Sequence, residues 1–397
     1  MADRVFIDVL NGHLRAAVIR GGDLDDLFLL PLAAEPVSGG IYLGRVRRVL
    51  SGLNSAFVDI GTDGDGFLRA AAARHAGGPT AKSLDGRPRI EQLVTEGEAL
   101  AVQVVRPGIA GKGPIVATDL TLAGRYAVLK GHDPDLSISR RITGEAERAR
   151  LTAVMSPLLD GETGFILRTA AAAVDDDALR AEVEALRQDW QAVSARLSEG
   201  SPPALIEGGP PPLLRVLRDL DLDPGASIRV EGVAGFADLK RRIDAAWPDL
   251  RVEAAPRPGG LFEAEGVEEA LAAFRDARVG LIGGGTLWVE ATRALTAIDV
   301  DTGAASGGGQ SILDTNLAAA SEIGRQLRIR NVGGLIVVDF VNMRQRSDRD
   351  RVVATLRDAC AGDRTAVQVL GLSPLGLVEM SRERNAYAAL GDVMGPL

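Results

Sequence analysis

The stretch from Gly334 to Val341 is an almost uninterrupted apolar run that contains one acidic residue, Asp339. Such runs are typical of strands buried on both faces, as in parallel sheets flanked by helices. Strand-like and helical segments alternate around it: residues 287–290, 294–300 and 366–370 indicate strands, 314–330 a helix, and Ser347 the N-cap of a further helix. The C-terminal part therefore predicts an α/β domain.

The preceding part of the chain is patterned differently. Residues 1 to about 35 alternate apolar and polar positions around Asn11-Gly12, which indicates a β-hairpin. Short β-rich runs with glycine-rich turns follow from Gly39 to Thr118, a spacing typical of a small β-barrel, with residues 71–89 as an inserted loop. Apolar positions at helical spacing behind Asp175 predict a long amphipathic helix, and a boundary follows at residues 200–212.

Charge and cysteine content exclude some classes of protein. The 397 residues contain 45 Lys plus Arg and 54 Asp plus Glu, for a formal charge of −9, which excludes a small basic nucleic-acid-binding module. The single cysteine, Cys360, can form no internal disulfide and no cysteine-based metal site. We find no secretory signal and no segment near ~18 uninterrupted apolar residues, and we therefore expect a cytoplasmic protein without a membrane span.

Two aspartates stand at the ends of predicted buried strands, Asp299 and Asp339. Ionised carboxylates there are costly unless a cation or strong donors compensate them, and neighbouring strands would bring the two together. Their oxygen ligands favour a hard cation, Mg²⁺ or Mn²⁺. The alternative, that each Asp only caps a following loop or helix, is equally consistent with the residues alone.

Other site motifs fit less well. A calcium loop starting at Asp299 would have Gln310 where a bidentate Glu is required. The same segment is similar to the opening of phosphoaspartyl phosphatases, but its fifth position is Gly303. Residues 307–311 could cradle a phosphate, but no P-loop lysine follows. Three widely spaced histidines, with no His-Glu-x-x-His motif among them, argue against a zinc cofactor.

Several segments, in order along most of the chain, resemble the ribonuclease E/G family. They are residues 40–50 (GIYLGRVRRVL), 55–61 (SAFVDIG), 294–299 (ALTAID), 315–330 (TNLAAASEIGRQLRIR), 333–340 (GGLIVVDF) and 376–382 (GLVEMSR). The chain is identified on them as a member of that family. The resemblance implies that Asp299 and Asp339 hold a catalytic Mg²⁺, which activates water for attack on a phosphodiester and leaves 5′-phosphate ends.

The resemblance also implies RNA-binding residues outside the catalytic segment. Phe57 and Phe67 match aromatic residues of the family's S1 domain on which a base stacks, and Lys112 in GKGP matches an RNA-contacting lysine. Arg168 and Thr169 in GFILRTA match a pocket for a 5′-monophosphate. On residue type alone, Phe57 would be assigned to the barrel core and Arg168 to the surface.

The implied fold class is α/β with several domains. An RNase H-like domain (residues 1–35 and 205–276) would be split by an S1 domain of OB-fold type (36–120) and a 5′-sensor region (121–204), before a DNase I-like catalytic domain (277–397). Family members usually continue into a zinc-binding link, and the cysteines of that link do not occur in this sequence. We therefore expect the shorter, G-type relatives to be the nearer comparison, and a homo-oligomer without a zinc link.

The function that follows is a Mg²⁺-dependent endoribonuclease. It would cleave single-stranded RNA, with a preference for 5′-monophosphorylated molecules, in rRNA maturation and mRNA turnover. Asp301, where relatives often have Asn, and Gln310 depart from the family pattern. Two alternatives stay open: a non-catalytic RNA-binding member of the family, and a metal-dependent phosphatase with Asp299 as nucleophile, which leaves the S1-like segment unexplained.

Overall fold

The computed structural model describes residues 3–32, 38–73, 89–108, 113–220, 222, 225–247, 250–256, 259–303, 311–385 and 387–395. The chain divides into two compact units, residues 1–32 with 222–397, and residues 33–221. Sheets and helices occur in both units, which confirms the predicted mixed α/β class. Within these described ranges, no helix combines the length and the apolar character needed to cross a bilayer.

The first unit begins with the predicted hairpin. Asn11 and Gly12 have positive φ (48° and 73°), as the tight turn between antiparallel β1 and β2 requires. The described strands of this sheet lie in the order β15–β14–β1–β2–β3. Its strands are β1 (Arg4–Leu10), β2 (His13–Arg20), β3 (Asp23–Pro31), β14 (Ser227–Val230) and β15 (Arg251–Ala254), and its helices are α5 (Phe236–Ala246), α6 (Leu261–Ala264) and α7 (Val267–Arg275).

A second sheet in the same unit has the strand order β16–β17–β18–β19–β21–β20. The strands are β16 (Arg278–Gly280), β17 (Thr286–Ala291), β18 (Leu295–Asp301), β19 (Gly334–Asp339), β20 (Val367–Leu372) and β21 (Val378–Arg382). The helices that follow them are α8 (Ile312–Arg330), α9 (Arg346–Ala361) and α10 (Leu390–Met394). Only the β18–β19 pair is parallel among the described pairings of this sheet, with α8 as its crossover.

Helices α8 and α9 cover one face of this sheet. They pack closely at Gly324, where a Cβ would lie 2.5 Å from the Ala359 carbonyl oxygen. Ile298, Val338 and Leu356 belong to the core between helices and sheet. On the other face Leu335 of β19 is 62% exposed. The expectation that β19 is buried on both faces is therefore wrong, since the described helices cover one side of the sheet and side chains alternate along the strand.

The second unit contains the predicted barrel. Its described strands pair in the sequence β4–β5–β6–β8–β7, and β7 returns to β4 and closes the ring. The elements are β4 (Ile41–Leu50), β5 (Ser55–Asp59), β6 (Gly66–Arg69), α1 (Ile90–Leu93), β7 (Ala99–Arg106) and β8 (Ile115–Ala117). Closure removes exposed sheet edges. Most of the predicted inserted loop, residues 74–88, lies outside the described residues.

The rest of the second unit is a small sheet against a long helix. The strand order is β11–β12–β10–β9. The elements are β9 (Thr121–Ala123), β10 (Ala127–Lys130), β11 (Leu136–Ile138), α2 (Glu145–Met155), β12 (Gly164–Leu167), α3 (Asp176–Glu199) and α4 (Pro212–Asp219). Strand β13 (Ala204–Glu207) pairs with β4 and so joins the barrel sheet. The predicted amphipathic helix is α3, whose N-cap Asp175 accepts a hydrogen bond from the Ala178 amide.

Helices α8 and α9 differ in how their first turns are capped. Ser311 and Asp314 form a capping box at the start of α8. Helix α9 begins at Arg346 with Gln345 as its N-cap residue, and no side chain caps it. The prediction that Ser347 caps this helix is therefore wrong, because the helix begins one residue before it.

Candidate active site

Asp299 and Asp339 lie side by side on neighbouring strands. They are register partners in the parallel pair β18–β19, so both side chains project from the same face of the sheet. That face is the one opposite α8 and α9, since Ile298, Val300 and Val338 point into the core. The structure thus brings together the two acidic residues that the sequence singled out.

The electrostatics of the pair favour a bound cation. Partial burial, followed by the negative charges of Asp339 and Asp301, raises the pKa of Asp299 above its ordinary value. Among the described residues, no Lys or Arg forms an ion pair with Asp299 or Asp339. The two carboxylates therefore lack a protein cation, in the described part of the chain, that would offset their repulsion.

The donor set fits Mg²⁺ better than a metal ion whose ligands all come from the protein. In the described ranges, no group of three or more His, Cys, Asp or Glu residues is placed to hold a metal ion. Two carboxylates are nevertheless what Mg²⁺ commonly uses, because it keeps several waters and takes further oxygens from substrate phosphates. The two carboxylates therefore fit a hard cation that takes its remaining ligands from water and from phosphate oxygens.

Helix α8 holds the backbone that follows Asp339 through Asn316, and its Thr315 lies beside the start of β17. The fully buried Asn316 donates from Nδ2 to the Val341 carbonyl (2.7 Å) and accepts from the Val341 amide (3.1 Å). Thr315 lies beside Gly285, where a Cβ would be 2.9 Å from both the Thr315 Cγ2 and the Asp301 carbonyl oxygen. The two hydrogen bonds of Asn316 thus fix the backbone that follows Asp339.

Arg168 and Thr169 form a second candidate site, in the other unit. Arg168 follows β12 and donates from Nη1 to the Gly124 carbonyl (3.1 Å) and from Nη2 to Asp219 (3.2 Å). The Thr169 hydroxyl lies 3.2 Å from the Ser139 hydroxyl. The Arg168 guanidinium and the hydroxyls of Ser139 and Thr169 are donor groups that suit a phosphate.

Glu182 on α3 supports this site. Its carboxylate accepts hydrogen bonds from the amides of Arg125, Tyr126 and Ala127, at 2.7 to 2.9 Å. Burial is the main reason that the pKa of Glu182 is raised, and the three amides partly counter it. The long helix thus fixes the turn whose Gly124 carbonyl receives Arg168.

Phe57 and Phe67 are paired on the barrel surface. They are register partners on β5 and β6, with ring centroids 5.6 Å apart and planes inclined at 57°. Both are half-buried, whereas Ala56 and Val58 belong to the barrel core. The assignment of Phe57 to the core on residue type is wrong, because its side chain lies on the opposite face of β5 from Ala56 and Val58. Lys112 lies outside the described residues.

Three further residues were not found from the sequence: Asn316, Asp219 and Trp288. Asn316 occurs in a helix, where its partner on Val341 is distant in sequence. Asp219 is the last residue of α4, and the fold brings it next to Arg168, which lies 51 positions earlier in the sequence. Trp288 had a usable signal, because the alternation of β17 places it on the face opposite the core residues Leu287 and Val289.

The chain is similar to known ribonucleases. The model of the ribonuclease E/G family matches residues 121–385. Ribonuclease G of Haemophilus influenzae is 36% identical over 396 residues, covering 96% of this chain and 80% of that protein. Ribonuclease G of Escherichia coli is 35% identical over 97% of this chain and 80% of its own length. Ribonuclease E of Haemophilus influenzae is 34% identical over 94% of this chain and 40% of its own length.

Proposed function

The chain belongs to the ribonuclease E/G family and is an endoribonuclease of RNA processing and decay, and we propose that it cleaves single-stranded RNA at the Asp299–Asp339 pair with Mg²⁺. The observation that carries this proposal is the register match of the two carboxylates on one sheet face. Mn²⁺ is a second metal that this oxygen set would accept.

Asp299 and Asp339 are the residues that would hold the ion. Magnesium, when bound, supplies a Lewis acid at the scissile phosphate and a water of lowered pKa. Without a cation, two aspartates beside an RNA phosphate would repel it. The carboxylates would therefore orient the phosphodiester only in the metal-loaded protein. Water would attack the phosphorus, the bond from phosphorus to the 3′-oxygen would break, and a proton would pass to that oxygen, which leaves 5′-phosphate and 3′-hydroxyl ends.

We assign Arg168 and Thr169 to recognition of the 5′-monophosphate. The guanidinium still has N–H groups beyond the two that bind Gly124 and Asp219, and a doubly charged terminal phosphate can take them. A 5′-hydroxyl offers no charge to this site. The protein therefore prefers monophosphorylated RNA to RNA with a 5′-hydroxyl end.

We assign the barrel strands to an S1 domain of OB-fold type, with Phe57 and Phe67 stacking RNA bases and Lys112 contacting the backbone. The 5′-sensor (121–204), RNase H-like (1–35 and 205–276) and DNase I-like (277–397) assignments remain predictions. So do a cytoplasmic location, a homo-oligomer, and roles in rRNA maturation and mRNA turnover.

One cleavage assay tests the main proposal. An end-labelled single-stranded RNA with either a 5′-monophosphate or a 5′-hydroxyl is incubated with Mg²⁺, with Mn²⁺ or with EDTA. We expect internal cuts that require the metal and are faster with the monophosphate. RNA binding without cuts in either metal would instead mean a non-catalytic family member, and release of inorganic phosphate without internal cuts would mean a phosphatase.

A further inference from the structure

Four side chains form a row across one face of the sheet that contains β18 and β19, the face opposite α8 and α9. Arg278 on β16 is the register partner of Trp288 on β17, Trp288 is the partner of Asp299, and Asp299 is the partner of Asp339. Register partners project from the same face, so a cation, an indole ring and two carboxylates follow one another on adjacent strands. All four are exposed.

Trp288 is unusual among the three tryptophans of the chain. It is 38% exposed, whereas Trp190 and Trp247 are each 8% exposed. Large aromatic side chains are stabilising mainly when they are buried, and Trp288 lies outside the core formed by this sheet with α8 and α9. An exposed indole beside an acidic pair is therefore available to a ligand.

Arg278 is similarly available. Its Nη2 lies 3.5 Å from the Thr286 hydroxyl, and within the described ranges no carboxylate forms an ion pair with it. Neighbouring strands are about 4.8 Å apart, so Arg278 lies about 10 Å from Asp299, with Trp288 between them. This distance lets one nucleotide lie over Trp288 while its neighbouring phosphates reach Asp299 and Arg278.

We infer that Trp288 stacks the base of a nucleotide beside the cleaved phosphodiester, and that Arg278 binds the next phosphate on the same side. This inference rests on the proposed catalytic role of Asp299 and Asp339. Stacking suits the site because Asp299, Asp301 and Glu290 make its surroundings acidic, and an aromatic face attracts a base without requiring positive charge.

The chemistry of the row selects single-stranded RNA with little base preference. Every base has a face that can stack on an indole, whereas bases within a duplex are already stacked on one another. Duplex RNA would have to unstack at this position before it could bind. The row therefore contributes to strand selection at the cleavage position itself.

Two measurements test the inference. The first uses a series of single-stranded RNAs, each with an abasic nucleotide at a different position. For each RNA, kcat/KM is measured with the wild type, Trp288→Ala, Trp288→Phe and the control Leu335→Ala. Leu335 is an exposed apolar residue of the same sheet, at the other end of β19. In the second, iodide quenching of tryptophan fluorescence is measured in Mg²⁺ by stopped flow, without RNA and after mixing with saturating RNA but before the RNA is cut.

We expect the wild type to lose about tenfold in kcat/KM when the abasic nucleotide occupies one position beside the cut. Trp288→Ala loses about tenfold with intact RNA and loses no more with the abasic one, because the two changes remove one interaction. Trp288→Phe and Leu335→Ala retain most of the activity and the abasic effect. RNA shields the fluorescence from iodide in the wild type.

Wild-type kinetics in Trp288→Ala, together with iodide quenching that RNA does not change, would overturn the stacking site and leave the proposed active site intact. Wild-type cleavage by Asp299→Asn would overturn the active site instead. The iodide measurement is made before cleavage and reports on Trp288 in either case.

Discussion

Asp299 and Asp339 face the same side of a parallel strand pair, although 40 positions separate them in the sequence. The alternation of apolar residues on β18 and β19 fixes this relationship. A slip of one residue in either strand would turn a carboxylate into the core and expose Ile298 or Val338. The packing that stabilises the sheet therefore also aligns the two acids.

Replacement of either aspartate by asparagine should abolish cleavage while RNA binding is retained. Loss of a residue that only orients a metal ligand typically costs about 10- to 100-fold in activity or metal affinity, and loss of a ligand should cost more. Cleavage rates at several Mg²⁺ concentrations, with filter binding of the same RNA, measure both quantities.

The matched control for this test is Glu290→Gln. Glu290 is an exposed acidic residue on β17, on the same face as Asp299. We expect its variant to cut RNA at close to the wild-type rate, because it is not a register partner of either aspartate. Wild-type cutting by Asp299→Asn or Asp339→Asn would show that the metal assignment is wrong.

Asn316→Ala should lower kcat and weaken Mn²⁺ binding by about 10- to 100-fold, with little change in KM for RNA. The variant leaves the amide and carbonyl of Val341 without their partners, which should also lower the free energy of unfolding by about 1–3 kcal/mol. Mn²⁺ binding can be followed by electron paramagnetic resonance, independently of cleavage.

Gln326→Ala separates site geometry from helix stability. Gln326 is also a buried amide on α8, but its partners Glu322 and Arg330 lie on the same helix. We expect Gln326→Ala to lower the melting temperature without changing Mn²⁺ affinity. Equal losses of Mn²⁺ affinity in the two variants would show that Asn316 has no particular role in positioning Asp339.

Arg168→Ala should remove the advantage of a 5′-monophosphate over a 5′-hydroxyl. A charge-assisted hydrogen bond contributes about 1.5–3 kcal/mol, which is roughly a 10- to 100-fold effect on the rate ratio. The measurement is the ratio of kcat/KM for the two RNAs. An undiminished ratio in this variant would remove Arg168 from 5′-end recognition.

Asp219→Asn provides the complementary change at that site. Asp219 lies 3.2 Å from Arg168 Nη2, and its negative charge competes with a phosphate for the guanidinium. Neutralising it should therefore increase the monophosphate advantage, the opposite of the effect of Arg168→Ala. A decrease would mean that Asp219 instead orients Arg168 for binding.

Phe67→Ala should weaken binding of single-stranded RNA by about 1–3 kcal/mol, because a stacking surface is lost. Fluorescence anisotropy of labelled RNA in EDTA measures this without cleavage. Leu53→Ala, which removes an apolar side chain 68% exposed in the same unit, is the control. An unchanged dissociation constant for Phe67→Ala would argue against the paired phenylalanines as an RNA platform.

The buried thiol gives a pH-dependent prediction. Burial, and then the charge of Asp363, raises the pKa of Cys360 from 9.0 to about 11. At pH 8 the thiolate fraction is therefore about 100-fold lower in the folded protein than in the unfolded chain. Reaction with a thiol reagent at pH 8 should be slow until guanidinium is added.

The raised pKa of Cys360 also determines the direction in which its contribution to stability changes with pH. Between pH 9 and about 11 the unfolded thiol ionises while the folded one stays neutral, so the contribution of Cys360 to stability falls as the pH rises through this range. Cys360→Ala should flatten the fall in melting temperature over this range. An equally steep fall in that variant would assign the pH dependence to other groups.

Local patterns predicted much of the fold. Asn11-Gly12 predicted the hairpin, the apolar spacing after Asp175 predicted α3, and glycine-punctuated strands predicted the barrel. These features depend on neighbours a few residues apart. The exposure of Leu335 could not be predicted in this way, because it depends on which face of the sheet the helices cover.

The candidate site was predictable only in part. Asp299 and Asp339 stood out because buried strands rarely end in acids, and their register then followed from the fold. The Asn316–Val341 and Arg168–Asp219 contacts join residues 25 and 51 positions apart, and nothing in their local sequence marks them. The alternation of β17 could place Trp288 on the face opposite the core, but its position beside Asp299 depends on the pairing of β17 with β18.

The order of strands has a consequence for how the protein is made. Strand β19 lies between β18 and β21, so the sheet around Asp339 is incomplete until residues up to Arg382 have been translated and have left the ribosome. Parallel pairing through a long crossover also forms slowly compared with a hairpin. A nascent chain therefore cannot hold Asp299 and Asp339 as a fixed pair until β21 has joined β19 and the sheet around them is complete.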